Sequence, residues 1–183
     1  MSKTKEAIIE TAIQVLSLDS SASLEDIATA AGVSRMTIHR NFKNRDTLFH
    51  EINETLIQRT LHIFKKSKKN HERSIDQLEE VIKTSANEKG YVLLIKENKD
   101  HKHHDPETCL FSEVSNELEE LIKRLRQEGY LSQTIPDAWV FHMYDAILFT
   151  AWEALYSGTV APNDIPTLSW HTFKNGVLNG KTI

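Results

Sequence analysis

The stretch that decides the fold is residues 23–48, SLEDIATAAGVSRMTIHRNFKNRDTL. Ser23 is a favourable helix N-cap, and Asp26 follows three residues later, a spacing close to that of a capping box. Apolar residues then recur at helical spacing as far as Gly32, a residue that readily adopts the left-handed backbone found at many helix ends. Ser34 can cap a second, short helix. The stretch therefore predicts a helix, a glycine-containing turn and a short helix.

The short helix after the turn has an apolar face and a basic face. Ile38 and Phe42 lie four residues apart, so they share one face and are expected to pack inward. At 100° per residue, Met36, Arg40 and Lys43 point almost directly away from that face. A protruding short helix with several cations is suited to reading base edges between two rows of phosphates. Seven residues on or beside it are predicted to contact DNA: Arg35, Met36, Thr37, His39, Arg40, Lys43 and Arg45.

Local charge, rather than net charge, supports this interpretation. The formal net charge is -4 and the sequence pI is about 6.1, which excludes a histone-like coating of DNA. Between Gly32 and Arg45, however, every charged residue is basic, and affinity for nucleic acid depends on where cations meet phosphates. A second basic run at residues 65–69 is interpreted as a solvated helix end.

Helical periodicity extends along almost the whole chain, without sustained alternation of apolar and polar residues. The sequence predicts an all-α fold of about nine helices, with a three-helix DNA-binding domain at residues 1–50 and a helical domain at residues 51–183. The boundary falls inside a long fourth helix from Arg45 to about Lys66. A capping box is predicted at Ser74-Ile-Asp-Gln77, ahead of the next helix.

Composition restricts the class of protein further. At 183 residues, 39% hydrophobic and 26% charged, the chain is long and apolar enough to bury a core. Cys109 is the single cysteine, so an intramolecular disulfide framework is excluded. No apolar run approaches the roughly 18 residues of a membrane span, so a cytoplasmic protein without a membrane partner is expected. No catalytic or cofactor-binding motif stands out, so neither enzymatic activity nor a cofactor is expected.

The helix-turn-helix block resembles the DNA-binding region of the TetR family of bacterial transcriptional repressors. The matching positions are Ile27-Ala28, Ala31-Gly32-Val33-Ser34, Thr37, Ile38 and Phe42, with Leu48 after them. The resemblance implies that the N-terminal helices bind a palindromic operator and that the C-terminal helices dimerise and hold an effector.

Three positions depart from the family pattern. His39 stands where the family usually has a tyrosine that contacts a phosphate, and an imidazole can donate the same hydrogen bond. Arg45 replaces the usual lysine, which keeps a cation beside a helix N-terminus, itself a phosphate site. The turn at residues 19–22 is about two residues short and lacks the usual glycine-aromatic pair, so its packing differs from the family's.

The segment Asp100-His-Lys-His-His-Asp105, with Cys109 close by, contains residue types that bind zinc or nickel. It has no ligand pair at helical spacing, and a polar loop without a metal is the favoured interpretation. Whether His101, His103 and His104 bind metal is left open. A metal-sensing protein using His101–Cys109 is therefore the alternative function.

The aromatic segment at residues 139–152 fits a core, a dimer interface or a ligand pocket. Its polar residues His142 and Asp145 either orient a ligand or satisfy each other and the backbone. The residues expected to line a pocket for a small apolar or aromatic effector are Tyr91, Phe111, His142, Tyr144, Asp145 and Phe149. The family resemblance implies that the last two long helices pair with their mates in a four-helix bundle, which places at the dimer interface Trp152, Leu155, Trp170, Phe173 and Val177.

The sequence thus predicts a dimeric, ligand-responsive regulator, interpreted as a repressor, whose partners are double-stranded operator DNA, a second copy of the chain and a small-molecule effector. A helical adaptor that uses the same block to bind a protein is the remaining rival. The operator, the regulated genes, the effector, and the choice between repression and activation cannot be derived from the residues alone.

Overall fold

The protein is all-helical throughout the part of the chain that the computed structural model describes, which is residues 3–88, 90, 93 and 110–178. An isolated bridge between Leu131 and Leu178 joins two segments outside the helices. The described residues form eight helices: α1 (Lys3–Leu18), α2 (Leu24–Ala30), α3 (Arg35–Asn41), α4 (Arg45–Asn70), α5 (Ser74–Ser85), α6 (Leu110–Gln127), α7 (Asp137–Ser157) and α8 (Ile165–Val177).

The second and third helices begin where local chemistry predicts. Ser23 and Asp26 form a capping box at the start of α2, so that prediction is confirmed. Gly32 has a φ of 65° in the turn before α3, and Val33 N–H donates to Ala28 O at 2.9 Å. The Ser34 side chain caps α3 as predicted. These local bonds set the angle at which α3 leaves α2.

The fourth helix is a continuous 26-residue rod. The Asn44 side chain caps it, and it ends at Asn70, four residues beyond the predicted end near Lys66. Its buried face packs against α1, α5 and α6, so one rigid element belongs to both predicted domains. The division into residues 1–50 and 51–183 remains a prediction.

The predicted capping box at the start of α5 is wrong. Ser74 is the first helical residue, and Arg73 precedes it without a side-chain cap. The N–H and the hydroxyl of Ser74 instead donate to Glu128 Oε2 at 3.0 and 2.8 Å. A carboxylate beyond the end of α6 thus satisfies the free amides of α5, because an anion is stabilised at a helix N-terminus.

The C-terminal helices bury a shared core. The apolar stripe of α6 is buried at Val114, Leu118, Leu121 and Leu125, as its spacing predicts. Gly158 has a φ of 65° and ends α7 where the sequence indicates. Among the described residues, no helix combines the length and the apolar character that a bilayer crossing requires.

Candidate DNA-binding surface and effector groove

The two faces of α3 differ as its sequence predicts. Ile38 and Phe42 are 0% and 1% exposed and pack into the core, whereas Met36 is 82% exposed. Arg40 and Lys43 are also exposed. Within the described part of the chain, neither of these two cations takes part in an ion pair. The outward face of α3 therefore presents the apolar Met36 and the positive charge of Arg40. The prediction that Lys43 lies on the same helix is wrong, because α3 ends at Asn41 and Phe42 is extended, so Lys43 is an exposed cation just after the helix.

Local hydrogen bonds hold α3 rigid although it has only seven residues. Thr37 N–H donates to Ser34 Oγ at 3.1 Å, and the two hydroxyl groups lie 2.9 Å apart. Asn41 Nδ2 donates to Thr37 O at 2.8 Å. Thr37 is half-buried, so its hydroxyl acts first as part of the N-terminal cap.

One flank of α3 is neutralised from within the chain by Glu25, in the first turn of α2. Its Oε1 lies 3.1 Å from Arg35 Nε and 3.5 Å from His39 Nε2. The pKa of the Glu25 carboxyl is lowered by a hydrogen bond from its own backbone N–H, by the hydrogen bond with His39 and by the charge of Arg35. Two of the predicted DNA-contacting residues therefore share a carboxylate that sequence reasoning missed. Glu25 and His39 are 14 residues apart in the sequence, and they meet only because α2 packs on α3. A pattern of neighbouring residues therefore could not predict this contact.

Arg45 is directed into the protein rather than outward. Its guanidinium donates to the carbonyl oxygens of Ser20 and Ala22, in the short turn between α1 and α2. Its Cζ also lies 4.9 Å from the centre of the Phe49 ring. In this DNA-free chain the predicted phosphate ligand thus serves as a brace for the turn.

A groove of about 400 Å³ lies between α6 and α7. Phe141 and Ile122 provide its apolar surface, and Glu119 and His142 are among the polar groups on its walls. The Phe141 and His142 rings are 6.4 Å apart and nearly perpendicular. An open groove of this size and composition can receive a planar aromatic molecule with polar or charged substituents.

The other residues predicted to line the effector pocket are scattered. Tyr144 is 1% exposed and packs in the core, with its ring 6.4 Å from that of Phe64. Phe149 is 38% exposed on the outer side of α7, and Asp145 is half-buried. Tyr91 and the side chain of Phe111 lie outside the described residues. Of the predicted pocket residues whose side chains the structure describes, only His142 lines the groove.

Most residues predicted for the dimer interface belong to the chain's own core. Trp170, Phe173 and Val177 are 7%, 1% and 2% exposed, because the apolar stripe of α8 packs on α5 and α7. Trp152 is also buried, and Leu155 is half-buried. An apolar stripe shows that a helix face is covered, without showing whether its own chain or a second copy covers it.

The metal-sensing alternative depends on residues 101–109, which lie outside the part of the chain described here. Within the described residues, no group of three or more histidine, cysteine, aspartate or glutamate side chains is placed to hold a metal ion.

Comparisons with known proteins agree with this geometry. Residues 8–52 match the family model of the bacterial regulatory proteins of the tetR family. The HTH-type transcriptional repressor LfrR of Mycolicibacterium smegmatis is 26% identical over 162 residues, which cover 85% of this chain and 81% of that protein.

Solved structures share the fold over nearly the full length. The TetR-like regulator LfrR from Mycobacterium smegmatis, solved in complex with proflavine, superposes with a TM-score of 0.75 at 21% identity, covering 96% of this chain and 97% of that one. The ketosteroid regulator KstR2 of Mycobacterium tuberculosis gives a TM-score of 0.70 at 11% identity, covering 98% and 97%. The fatty acid degradation regulator FadR of Bacillus halodurans gives 0.68 at 16% identity, covering 100% and 98%.

The matched helix-turn-helix at residues 8–52, the exposed basic face of α3 and the fold of the whole chain lead to one conclusion: the N-terminal helices are similar to the DNA-binding region of the bacterial regulatory proteins of the tetR family, and the described chain has the fold of TetR-like regulators.

Proposed function

We propose that the protein is a repressor that binds a palindromic operator as a homodimer and releases it when a small aromatic molecule binds. The observation that carries the proposal is the outward face of α3, where Met36 and Arg40 are exposed opposite the buried Ile38 and Phe42, with the exposed Lys43 just after the helix. An apolar side chain can contact a thymine methyl group, and arginine can bind guanine or phosphate. The matched relative LfrR is named a repressor, which favours repression over activation here.

Dimerisation is proposed because one short helix reads only a few base pairs, and two half-sites restore specificity. The surface available for a second copy is the outer side of α7 and α8. Three of the five large exposed apolar side chains among the described residues lie there: Trp139, Phe149 and Leu168 are 56%, 38% and 49% exposed. The nearby Thr172 is small and exposed, so a partner helix can approach closely. These residues replace the buried α8 stripe as the proposed contact with the second copy.

The effector is proposed to bind in the groove between α6 and α7. Phe141 and Ile122 supply apolar surface for an aromatic ring. The wall carries two carboxylates, Glu119 and Asp137, against one lysine, Lys123, which lies 3.9 Å from Glu119, and this excess of acidic groups favours a cationic substituent. Proflavine is the molecule seen with LfrR, and an aromatic cation of that kind matches this lining. The proposed effector is therefore still an aromatic molecule, as the sequence suggests. Its proposed binding site is the groove between α6 and α7 rather than a pocket lined by Tyr144, Asp145 and Phe149.

The signal is proposed to travel along α4, which contacts both halves of the protein. Lys5 Nζ lies 2.5 Å from Glu51 Oε1, which joins α1 to α4. Arg59 pairs with Glu10 on α1 and, at 3.2 Å, with Glu88 after α5. A ligand that shifts α5 and α6 relative to α4 would therefore move α1 and change the spacing of the two recognition helices.

The proposal is tested by selecting binding sites from a pool of random duplex DNA. We expect the full-length protein to enrich a palindrome whose half-sites are about one helical turn apart. Proflavine should then reduce the affinity for that site, and His142→Ala should weaken the reduction while leaving operator affinity unchanged. Enrichment of no sequence would contradict the DNA-binding proposal, and an unaltered proflavine response in His142→Ala would place the effector elsewhere.

A further inference from the structure

The carboxylate of Glu25 is the one acidic group that the described structure places in an ion pair with the flank of α3. Arg35 and His39 lie four residues apart and share that flank, which faces α2. All three side chains are solvent-accessible, at 47% exposed for Glu25, 77% for Arg35 and 41% for His39. DNA docked on α3 would therefore meet this carboxylate as well as the two groups it contacts.

The contact with Arg35 is made from the Nε side of the guanidinium, because Nε and Oε1 are the nearest atoms at 3.1 Å. Guanidinium is planar and carries five N–H donors in a fixed fork. Approach from the Nε side leaves the end-on edge, formed by the two Nη groups, for another planar acceptor. Guanine presents such an acceptor through O6 and N7 in the major groove. The ion pair with Glu25 thus leaves the Nη edge of Arg35 available to a base.

The same carboxylate disfavours binding to a phosphate in any sequence. An arginine that is already paired with a carboxylate releases less counterion from DNA when it meets a phosphate. A phosphate that approaches Arg35 also approaches the negative charge of Glu25, and like charges repel. Arg40 and Lys43 lack such a partner among the described residues, so they remain available for phosphate contacts.

We infer that Glu25 is a specificity-determining, positioning residue: it orients Arg35 towards a guanine edge and lowers the affinity of the Arg35–His39 flank for phosphates of arbitrary sequence. This inference rests on the proposed operator binding. Glu25 lies in the first turn of α2, where a negative charge also stabilises the helix end. Its carboxylate also accepts a hydrogen bond from its own backbone N–H at that end, so the test has to measure stability beside DNA binding.

The test compares Glu25→Gln with Glu6→Gln in the full-length protein. Glu6 is an exposed carboxylate in the first turn of α1, so its substitution makes the same change in net charge without altering the α3 flank. Affinities are measured for the selected operator and for a scrambled duplex of equal length, over a range of salt concentrations. Thermal unfolding of both variants shows whether stability has changed.

We expect Glu25→Gln to bind the scrambled duplex about fivefold more tightly, the scale of one screened charge contact. Its salt dependence on that duplex should steepen by about one, because Arg35 becomes available to one more phosphate. Operator affinity should not rise in parallel, and selection should show relaxed preference at one guanine. In an Arg35→Ala background, Glu25→Gln should leave that preference unchanged, since the arginine that it orients is absent.

The inference is overturned if Glu25→Gln binds scrambled DNA as the parent does, or changes both duplexes by the same factor as Glu6→Gln does. It is also overturned if unfolding is affected while the ratio of operator to scrambled affinity is unchanged, because Glu25 would then act only on the helix end. Failure of the proposed operator binding is a separate result, recognised when the unsubstituted protein itself fails to enrich a sequence.

Discussion

Arg45 was predicted from the sequence to bind a DNA phosphate, but in the structure it braces a turn. Unfolding of the Arg45→Ala variant distinguishes these two roles. Its guanidinium bonds two carbonyl oxygens of the turn at residues 19–22 and lies over the Phe49 ring. The Ala22 contact is part-buried and the Ser20 contact is exposed, so the first contributes more. A hydrogen bond to a charged group in a part-buried position contributes about 1–1.5 kcal/mol, and the exposed one about 0.5 kcal/mol. A cation–π contact adds about 0.5–1 kcal/mol.

Loss of all three contacts should therefore destabilise the protein by about 2–3 kcal/mol. For a chain of this length that corresponds to a fall in melting temperature of about 4–12 °C. The assay is thermal and urea unfolding of the DNA-free protein, with hydrogen exchange of the 19–22 turn as a local probe. Arg45→Lys should recover part of the loss, because one ammonium can reach one carbonyl but cannot form the fork.

Lys43→Ala is the matched control, since it removes a neighbouring exposed cation that has no ion pair among the described residues. It should weaken DNA binding and leave the melting temperature almost unchanged. The reasoning is refuted if Arg45→Ala unfolds like the parent protein and loses only DNA affinity, because Arg45 would then act as a phosphate ligand alone.

The remaining predictions concern α3, the outer face of α7 and α8, and two helix ends. Arg40→Ala should leave the melting temperature unchanged and either reduce the salt slope by about one or relax discrimination at one base pair, as a salt titration with operator variants would show. Trp139→Glu should give a folded monomer in a sedimentation experiment. Trp170→Glu should unfold the chain, because it buries a carboxylate in the core at a cost of several kcal/mol. A folded Trp170→Glu dimer would contradict this assignment. Glu128→Gln should lower unfolding free energy by about 1–2 kcal/mol by weakening the cap of α5, and unchanged urea unfolding would rule that cap out as a stabilising contact. The pKa of the Asp26 carboxyl is lowered by its hydrogen bonds to Ser23 in the capping box, so its contribution is present above the unfolded-state pKa of about 3.9 and is lost as pH falls through the lower folded-state pKa. The difference in unfolding free energy between the parent and Asp26→Asn should therefore be present at pH 7 and decrease as the pH falls below about 3.9.

Features set by near neighbours could be predicted from the sequence. The capping box at Ser23, the left-handed turn at Gly32 and the inward side of α3 each depend on residues within one or two helical turns. The same holds for the end of α7 at Gly158. Each of these features depends on residues that are close together in the sequence, so it can be predicted without knowing how the helices pack.

Features set by distant partners could not be predicted in this way. Ser74 looks like the first residue of a capping box, but Glu128, 54 residues away, binds its N–H and hydroxyl. Arg45 looks like a surface cation beside a helix end, but its partners lie 23 and 25 residues earlier. In each case a local rule gave a plausible partner, and tertiary packing supplied a different one.

The apolar stripes show a second limit. The stripe of α8 at Trp170 and Phe173 correctly indicates a buried face, but periodicity carries no information about which surface covers it. The same holds for Tyr144, whose aromatic ring was assigned to a pocket and packs against Phe64 in the core. Burial follows from the sequence pattern, whereas the identity of the covering partner follows only from the fold.

The most direct test of the central claim is a crystal structure of the full-length protein with its selected operator. We expect α3 to lie in the major groove, with Met36 at a base edge, Arg40 at a base edge or a phosphate, and Ile38 and Phe42 still buried. We also expect that Arg45 retains its contact with the Ala22 carbonyl. A complex in which another surface binds the DNA and α3 faces solvent would contradict the account.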